Sequence, residues 1–163
     1  MALAIVLMGV SGSGKTSIGQ ALSAELGWSF YDGDDYHSPE NVEKMSQGIP
    51  LSDEDRFHWL ETLSNLIIVK RGAEENLVLA CSALNEGYRQ KLRANNKDLN
   101  FVYLEGDFDL IWERMQTRED HYMKSKMLKS QFEILEPPKN ALHIDIDRPI
   151  TEIVREISDF LAN

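Results

Sequence analysis

Apolar positions along the chain fall into two alternating patterns, short unbroken runs and runs with helical spacing. The first unbroken run covers residues 3–8, LAIVLM. A glycine-rich stretch follows at once, then Ile18, Leu22 and Leu26 at four-residue intervals with Ala21 between. The run reads as a strand buried on both faces, and the spacing after it as a helix with one buried face. Gly27 reads as the stop of that helix, and residues 28–31 as a second, short strand. Ser38-Pro39-Glu40 has the form of a helix start: Ser as N-cap, Pro in the first turn, an acid near the positive end. That helix runs to about Gln47 and stops at Gly48. After a loop at 49–51, Ser52 and Asp55 resemble a capping box. They open a helix that carries Trp59, Leu60, Leu63 and Ile67 and ends at Gly72.

The alternation continues. Residues 77–80 are a third unbroken run, 86–93 a helix, and 101–104 a fourth run. Asp107 opens a helix with Leu110, Ile111, Arg114, Met115 and Arg118. Residues 119–126 are polar, and a helix over 125–135 is stopped by Pro137-Pro138. Residues 143–146 give a last strand. Pro149 precedes an amphipathic helix with Ile150, Ile153, Val154, Ile157, Phe160 and Leu161. Strands that alternate with helices predict an α/β fold, a parallel sheet with helices on both faces. No repeat, linker or low-complexity stretch interrupts residues 1–163, so one domain is expected.

Composition narrows the class. A chain of 163 residues suits one domain with a proper core, and 42% hydrophobic with 27% charged residues is ordinary for a globular protein. The net charge of −10 argues against a nucleic-acid partner, which needs a basic face. Cys81 is the single cysteine, so no disulfide forms within the chain. It follows an apolar run and reads as a buried structural thiol. Residues 3–8 are too short to span a membrane, and no basic segment precedes them, which points to the cytoplasm.

Candidate chemistry gathers where strands end, the edge at which ligands bind in such folds. Gly9-Val10-Ser11-Gly12-Ser13-Gly14-Lys15-Thr16 matches G-x-x-x-x-G-K-[ST] between a strand and a helix, the context a phosphate loop requires, with Ser17 next along the helix. Glycines let backbone N–H groups turn inward around phosphate oxygens, and the helix N-terminus adds its positive dipole end. Lys15 is expected at the β- and γ-phosphates and the Thr16 hydroxyl on Mg²⁺. Asp32 and Asp34 are two apart at a strand end. In an extended segment both face the γ-phosphate, one holding Mg²⁺ through water and the other accepting a substrate proton. Ser82 and Gly106-Asp107 fall at the same edge.

Residues 28–62 hold nine acids against two bases, Lys44 and Arg56. Two readings of Arg56 stand side by side here: a plain ion-pair partner, or the binder of an anionic substrate. Arg114 and Arg118 share a helical face. With Lys124 and Lys126 they form either a solvated helix end or a lid over phosphates. The four histidines lack a tight ligand spacing, which argues against a zinc site. Trp59 and Trp112 read as core. A GTP-binding switch is excluded: none of the ten glycines has Asp three positions before it, and Asn96-Lys97-Asp98-Leu99 misses the guanine-reading pattern.

The segments MGVSGSGKT, YDGDDYHSPENVEKMSQGIPLSDEDRFHWL, CSALNEGYRQKLR, FVYLEGDFDLIWERM, HYMKSKMLKSQFEILE and IDIDRP together closely resemble the gluconokinase family, from about residue 5 to 149. The resemblance implies a nucleoside-monophosphate-kinase-like three-layer sandwich with a five-stranded parallel sheet and a mobile lid over about 118–131. It implies ATP, Mg²⁺ and phosphorylation of the 6-hydroxyl of D-gluconate. Carried over, the acceptor region spans about 34–72, and the pocket draws on Asp34, His37, Asp53, Arg56, Arg89, His121 and Gln131, with Ser82 at its edge. By the same likeness Arg114 stacks on adenine opposite Arg148-Pro149, and Arg118 approaches the phosphates. Tyr122 stands where the family has Phe. A homodimer is implied by the resemblance alone. A shikimate-kinase-like enzyme is the nearest alternative, and LSDEDRFHWL and SQFEILE argue against it.

Overall fold

The computed structural model describes residues 2–116 and 121–163, and side chains outside 121–124. Five strands, β1 (Ala4–Met8), β2 (Ser29–Asp32), β3 (Leu77–Ala80), β4 (Asn100–Glu105) and β5 (Leu142–Asp145), form one sheet in the order β2-β3-β1-β4-β5. Every recorded pairing is parallel, so each strand returns through a helical crossover. The helices are α1 (Lys15–Leu26), α2 (Pro39–Ser46), α3 (Asp53–Gly72), α4 (Glu86–Arg93), α5 (Phe108–Met115), α6 (His121–Ile134) and α7 (Ile150–Ala162).

All residues of β1 and β3 are buried, so both faces of the sheet are covered at its centre. Helix α1 packs with α7, and α3 with α4. Ile5, Leu7, Leu22, Leu60, Leu63 and Ile67 are fully buried between these layers. Truncating one such leucine to alanine costs about 2–5 kcal/mol. Side-chain caps fix the helix starts: Ser38 Oγ accepts from the Asn41 N–H, and Ser52 with Asp55 closes a reciprocal box. No helix of the described residues is long and apolar enough to cross a membrane.

Two expectations shift. Helix α6 starts at His121, inside the polar stretch, and not at Ser125. HYMKSKM holds no Gly or Pro and several good helix formers, so its polarity need not mean an irregular chain. The segment after β2 is a 3₁₀ turn, Gly33–Tyr36, and not an extended continuation.

Candidate active site

The phosphate loop leaves the central strand β1 and enters α1. Gly12 and Gly14 hold φ of 81° and 97°, left-handed values that favour glycine. The Lys15 ammonium donates to Gly9 O at 2.9 Å and Val10 O at 3.0 Å, folded back over the loop. Burial lowers its pKa, and the Asp34 carboxylate is the foremost group opposing that. A cavity of about 430 Å³ opens above the loop, lined by residues 11–17, Asp34, Arg114 and Arg148, with Ile146, Ile150 and Ile153 as its apolar wall. Arg114 Nη2 donates to Ile146 O at 2.9 Å, and Arg148 Nη1 pairs with Glu156 at 2.7 Å. Pro149 caps α7 beside this wall without lining it. Gly9 likewise lies below the cavity, its N–H donating to Ser82 O at 3.3 Å.

The two aspartates are brought together by a turn and not by strand alternation. Asp32 Oδ2 accepts from the Thr16 hydroxyl at 2.8 Å, and its Oδ1 accepts from the Asp34 N–H at 3.0 Å. Gly33 between them is required by close approach: a Cβ there would lie 2.6 Å from Ala80 O. The Trp59 indole N–H donates to Gly33 O at 2.7 Å and pins the turn. Asp34 is left facing the cavity. The His37 imidazole beside it holds its carboxyl below the ordinary range; burial opposes this, and the Lys15 ammonium adds a lesser lowering.

A second cavity, about 80 Å³, is lined by Ser11, Lys15, Asp34, His37, Arg56, Ser82 and Gln131 with apolar Met45, Pro50, Leu84 and Met127. It shares Ser11, Lys15 and Asp34 with the first. Arg56 is 8% exposed. Its Nη1 donates to Leu51 O at 2.6 Å and to the Tyr88 hydroxyl at 3.2 Å. Neither Asp53 nor Asp55 pairs with it: Asp53 accepts from Tyr88 at 2.6 Å, and Asp55 pairs with Lys44 at 2.7 Å. Among the described residues Arg56 therefore makes no ion pair.

Not every expected pocket residue lines this cavity. Asp53 instead accepts from the Tyr88 hydroxyl. Arg89 is 1% exposed, with its donors taken by Glu86, Ala83 O and Glu136 O at 3.0, 2.8 and 2.8 Å. It ties α4 to the chain on either side of the site and does not border the cavity. Gln131 uses its amide on Ser11, accepting from the backbone N–H at 2.7 Å and donating to Oγ at 2.9 Å. Arg118 and the side chains of His121 and Tyr122 lie outside the described residues. Sequence reasoning missed Trp59 as a cavity wall and Asn41 as a contact of His37. Helical spacing marks Trp59 as buried but says nothing of where its indole N–H points. Cys81 is buried as expected, and burial pushes its thiol up to about 12.

A family model described as shikimate kinase matches residues 11–161. The thermosensitive gluconokinase of Escherichia coli (strain K12) is 45% identical, over 93% of this chain and 83% of that protein. The gluconokinase of Gluconobacter oxydans (strain 621H) is 40% identical, over 93% and 82%. A crystal structure of a gluconokinase from Sinorhizobium meliloti 1021 superposes with a TM-score of 0.88 at 43% identity, covering 98% of this chain and 91% of that one.

Proposed function

The chain belongs to the gluconokinase family, on a shikimate-kinase-type domain, and from that premise we infer that it transfers the γ-phosphoryl group of ATP to D-gluconate, giving ADP and 6-phosphogluconate. The observation that carries the acceptor assignment is Arg56. Its Nε and Nη2 take no acceptor among the described residues, in a cavity that also holds Lys15 and Asp34. A buried guanidinium with open donors suits the carboxylate of a sugar acid.

In this reading the larger cavity takes ATP. Backbone N–H groups of residues 11–17 surround its phosphates, Lys15 turns from Gly9 O and Val10 O to phosphate oxygen, and Arg114 and Arg148-Pro149 flank the base. Arg118 adds positive charge from the lid, about 118–131. The acceptor region, about 34–72, orients gluconate through Arg56 and His37, with Ser82 at the edge, Asp53 acting through Tyr88 and Gln131 holding Ser11 at the border with the nucleotide; the side chain of His121, also expected here, lies outside the described residues. Arg89 supports the rear of this wall through Ala83 and Glu136. Asp34 accepts the proton of the 6-hydroxyl as oxygen attacks phosphorus.

The Thr16 hydroxyl and the Asp32 carboxylate, 2.8 Å apart, are the hard-oxygen pair that Mg²⁺ accepts while keeping most of its waters. When bound, the ion supplies charge neutralisation at the β- and γ-phosphates. The cytoplasm and a homodimer belong to the same reading, and light scattering tests the dimer. A coupled ADP-release assay comparing gluconate, shikimate and nucleoside monophosphates tests the activity. Turnover of gluconate alone is expected; preference for shikimate would reverse the assignment.

A further inference from the structure

His37 sits against the reacting end of the acceptor cavity, and its two ring nitrogens have unlike neighbours. The ring stacks on Trp59, centroids 4.2 Å apart and planes at 18°, and the side chain is 3% exposed. Nε2 faces Asp34 Oδ1 at 3.7 Å. Nδ1 faces the side-chain amide of Asn41 at 3.4 Å.

Asn41 is 4% exposed, and its amide orientation is decided by a third group. The same amide nitrogen lies 3.2 Å from Asp55 O. A backbone carbonyl can only accept, so the atom against it must be the NH₂ and not the amide oxygen. One hydrogen of that NH₂ goes to Asp55 O, and the other points at His37 Nδ1. Nδ1 then carries the lone pair, and the ring proton is on Nε2.

We propose that Asn41 is a positioning residue, one that fixes His37 as its Nε2–H tautomer so that the ring is a donor, and never the proton acceptor, at the acceptor cavity. The charged groups around the ring agree with this arrangement. Asp34 is the acceptor in front of Nε2, while Lys15 and Arg56 are donors on the same cavity wall. The Asp55 carboxylate is turned away to Lys44 at 2.7 Å, leaving its carbonyl to Asn41. Between His37 and Asp34, the imidazole is thereby removed as an acceptor of the hydroxyl proton. This assignment rests on the gluconate-kinase reading for its catalytic meaning, but the tautomer itself does not.

The test is nitrogen-15 NMR on histidine-labelled full-length protein without substrate, His37 being assigned by loss of its signals in H37Q. The expected result is a protonated Nε2 and an unprotonated Nδ1. In N41A the two tautomers average. In N41D, which offers an acceptor where the amide offered a donor, the proton moves to Nδ1. Kinetically, N41A lowers kcat by on the order of tenfold with the KM for ATP unchanged, as loss of an orienting contact does. An unprotonated Nε2 in the wild type overturns the proposal, and so does an N41A protein that keeps one tautomer or full kcat. Failure to phosphorylate gluconate with the stated tautomer present counts against the activity alone.

Discussion

Gln131 holds Ser11 at both ends: the Ser11 N–H donates to Oε1 at 2.7 Å, and Nε2 donates to Ser11 Oγ at 2.9 Å, joining positions 120 apart. The pair ties α6 to the phosphate loop. Gln131→Glu keeps an acceptor for the N–H, removes the donor, and sets a negative charge beside a phosphate site. The KM for ATP is expected to rise about tenfold, worth ~1.4 kcal/mol, with a smaller change for gluconate. Initial-rate kinetics check this, and an unchanged ATP KM would leave the contact without a role in nucleotide binding.

Arg56 and Arg89 separate substrate binding from support. Each hydrogen bond from a guanidinium to a carboxylate is worth about 1.5–3 kcal/mol, so Arg56→Ala should raise the gluconate KM by roughly 10- to 100-fold. Lys at 56 should be milder, keeping charge without the fork. Arg89→Ala strands two carbonyls, Ala83 O and Glu136 O, at about 1–3 kcal/mol each. It should lower Tm by on the order of 10 °C. Both KM values and Tm on each variant decide it. A larger gluconate effect at 89 than at 56 would reverse the two roles.

Asp34→Asn keeps the shape but cannot take a proton, so kcat should fall by about 10²–10⁴-fold with ATP binding little changed. His37, then Lys15, hold the wild-type carboxyl below the ordinary range. The base form is therefore already present at neutral pH, and the acid limb of kcat lies below the usual carboxylate range. The variant's residual activity should lack that limb. A severe Asp32→Asn beside a mild Asp34→Asn would exchange their parts.

Asp55 makes a pH signature of its own. The Lys44 ammonium first, then the Ser52 N–H, lower its carboxyl from 3.8 to about 2. A depressed folded pKa means a contribution complete above pH 3.8 and lost as the pH falls through about 2. Asp55→Asn should flatten the stability profile in that window. Denaturant unfolding at several acidic pH values measures it, and parallel profiles would show that the ion pair contributes nothing.

Strand and helix positions were legible because burial repeats along the chain: all of β1 and β3 are apolar, and Leu60, Leu63 and Ile67 lie on one helical face. The phosphate loop was legible because its chemistry is local, confined to eight consecutive residues. Asp32 and Asp34 were identified with the wrong geometry. Strand alternation does not survive the turn that Gly33 and the Trp59 N–H impose. Arg56 and Arg89 were alike on paper. What divides them is which carbonyls and carboxylates lie within reach of each guanidinium, and these come from Leu51 for one and from Ala83 and Glu136 for the other. The link from Asn41 to His37 depends on the carbonyl of Asp55, fourteen positions away from Asn41 and in another helix.

The two cavities, proposed above to take the nucleotide and the acceptor, meet at Ser11, Lys15 and Asp34. With only these three residues in common, the two chambers are modular. Met45, Arg56, Leu84 and Met127 belong to one chamber, while Arg114, Arg148 and Ile150 belong to the other. Evolution, or a focused library in the laboratory, can retool the acceptor chamber for a different acid while the phosphoryl-donating half stays as it is.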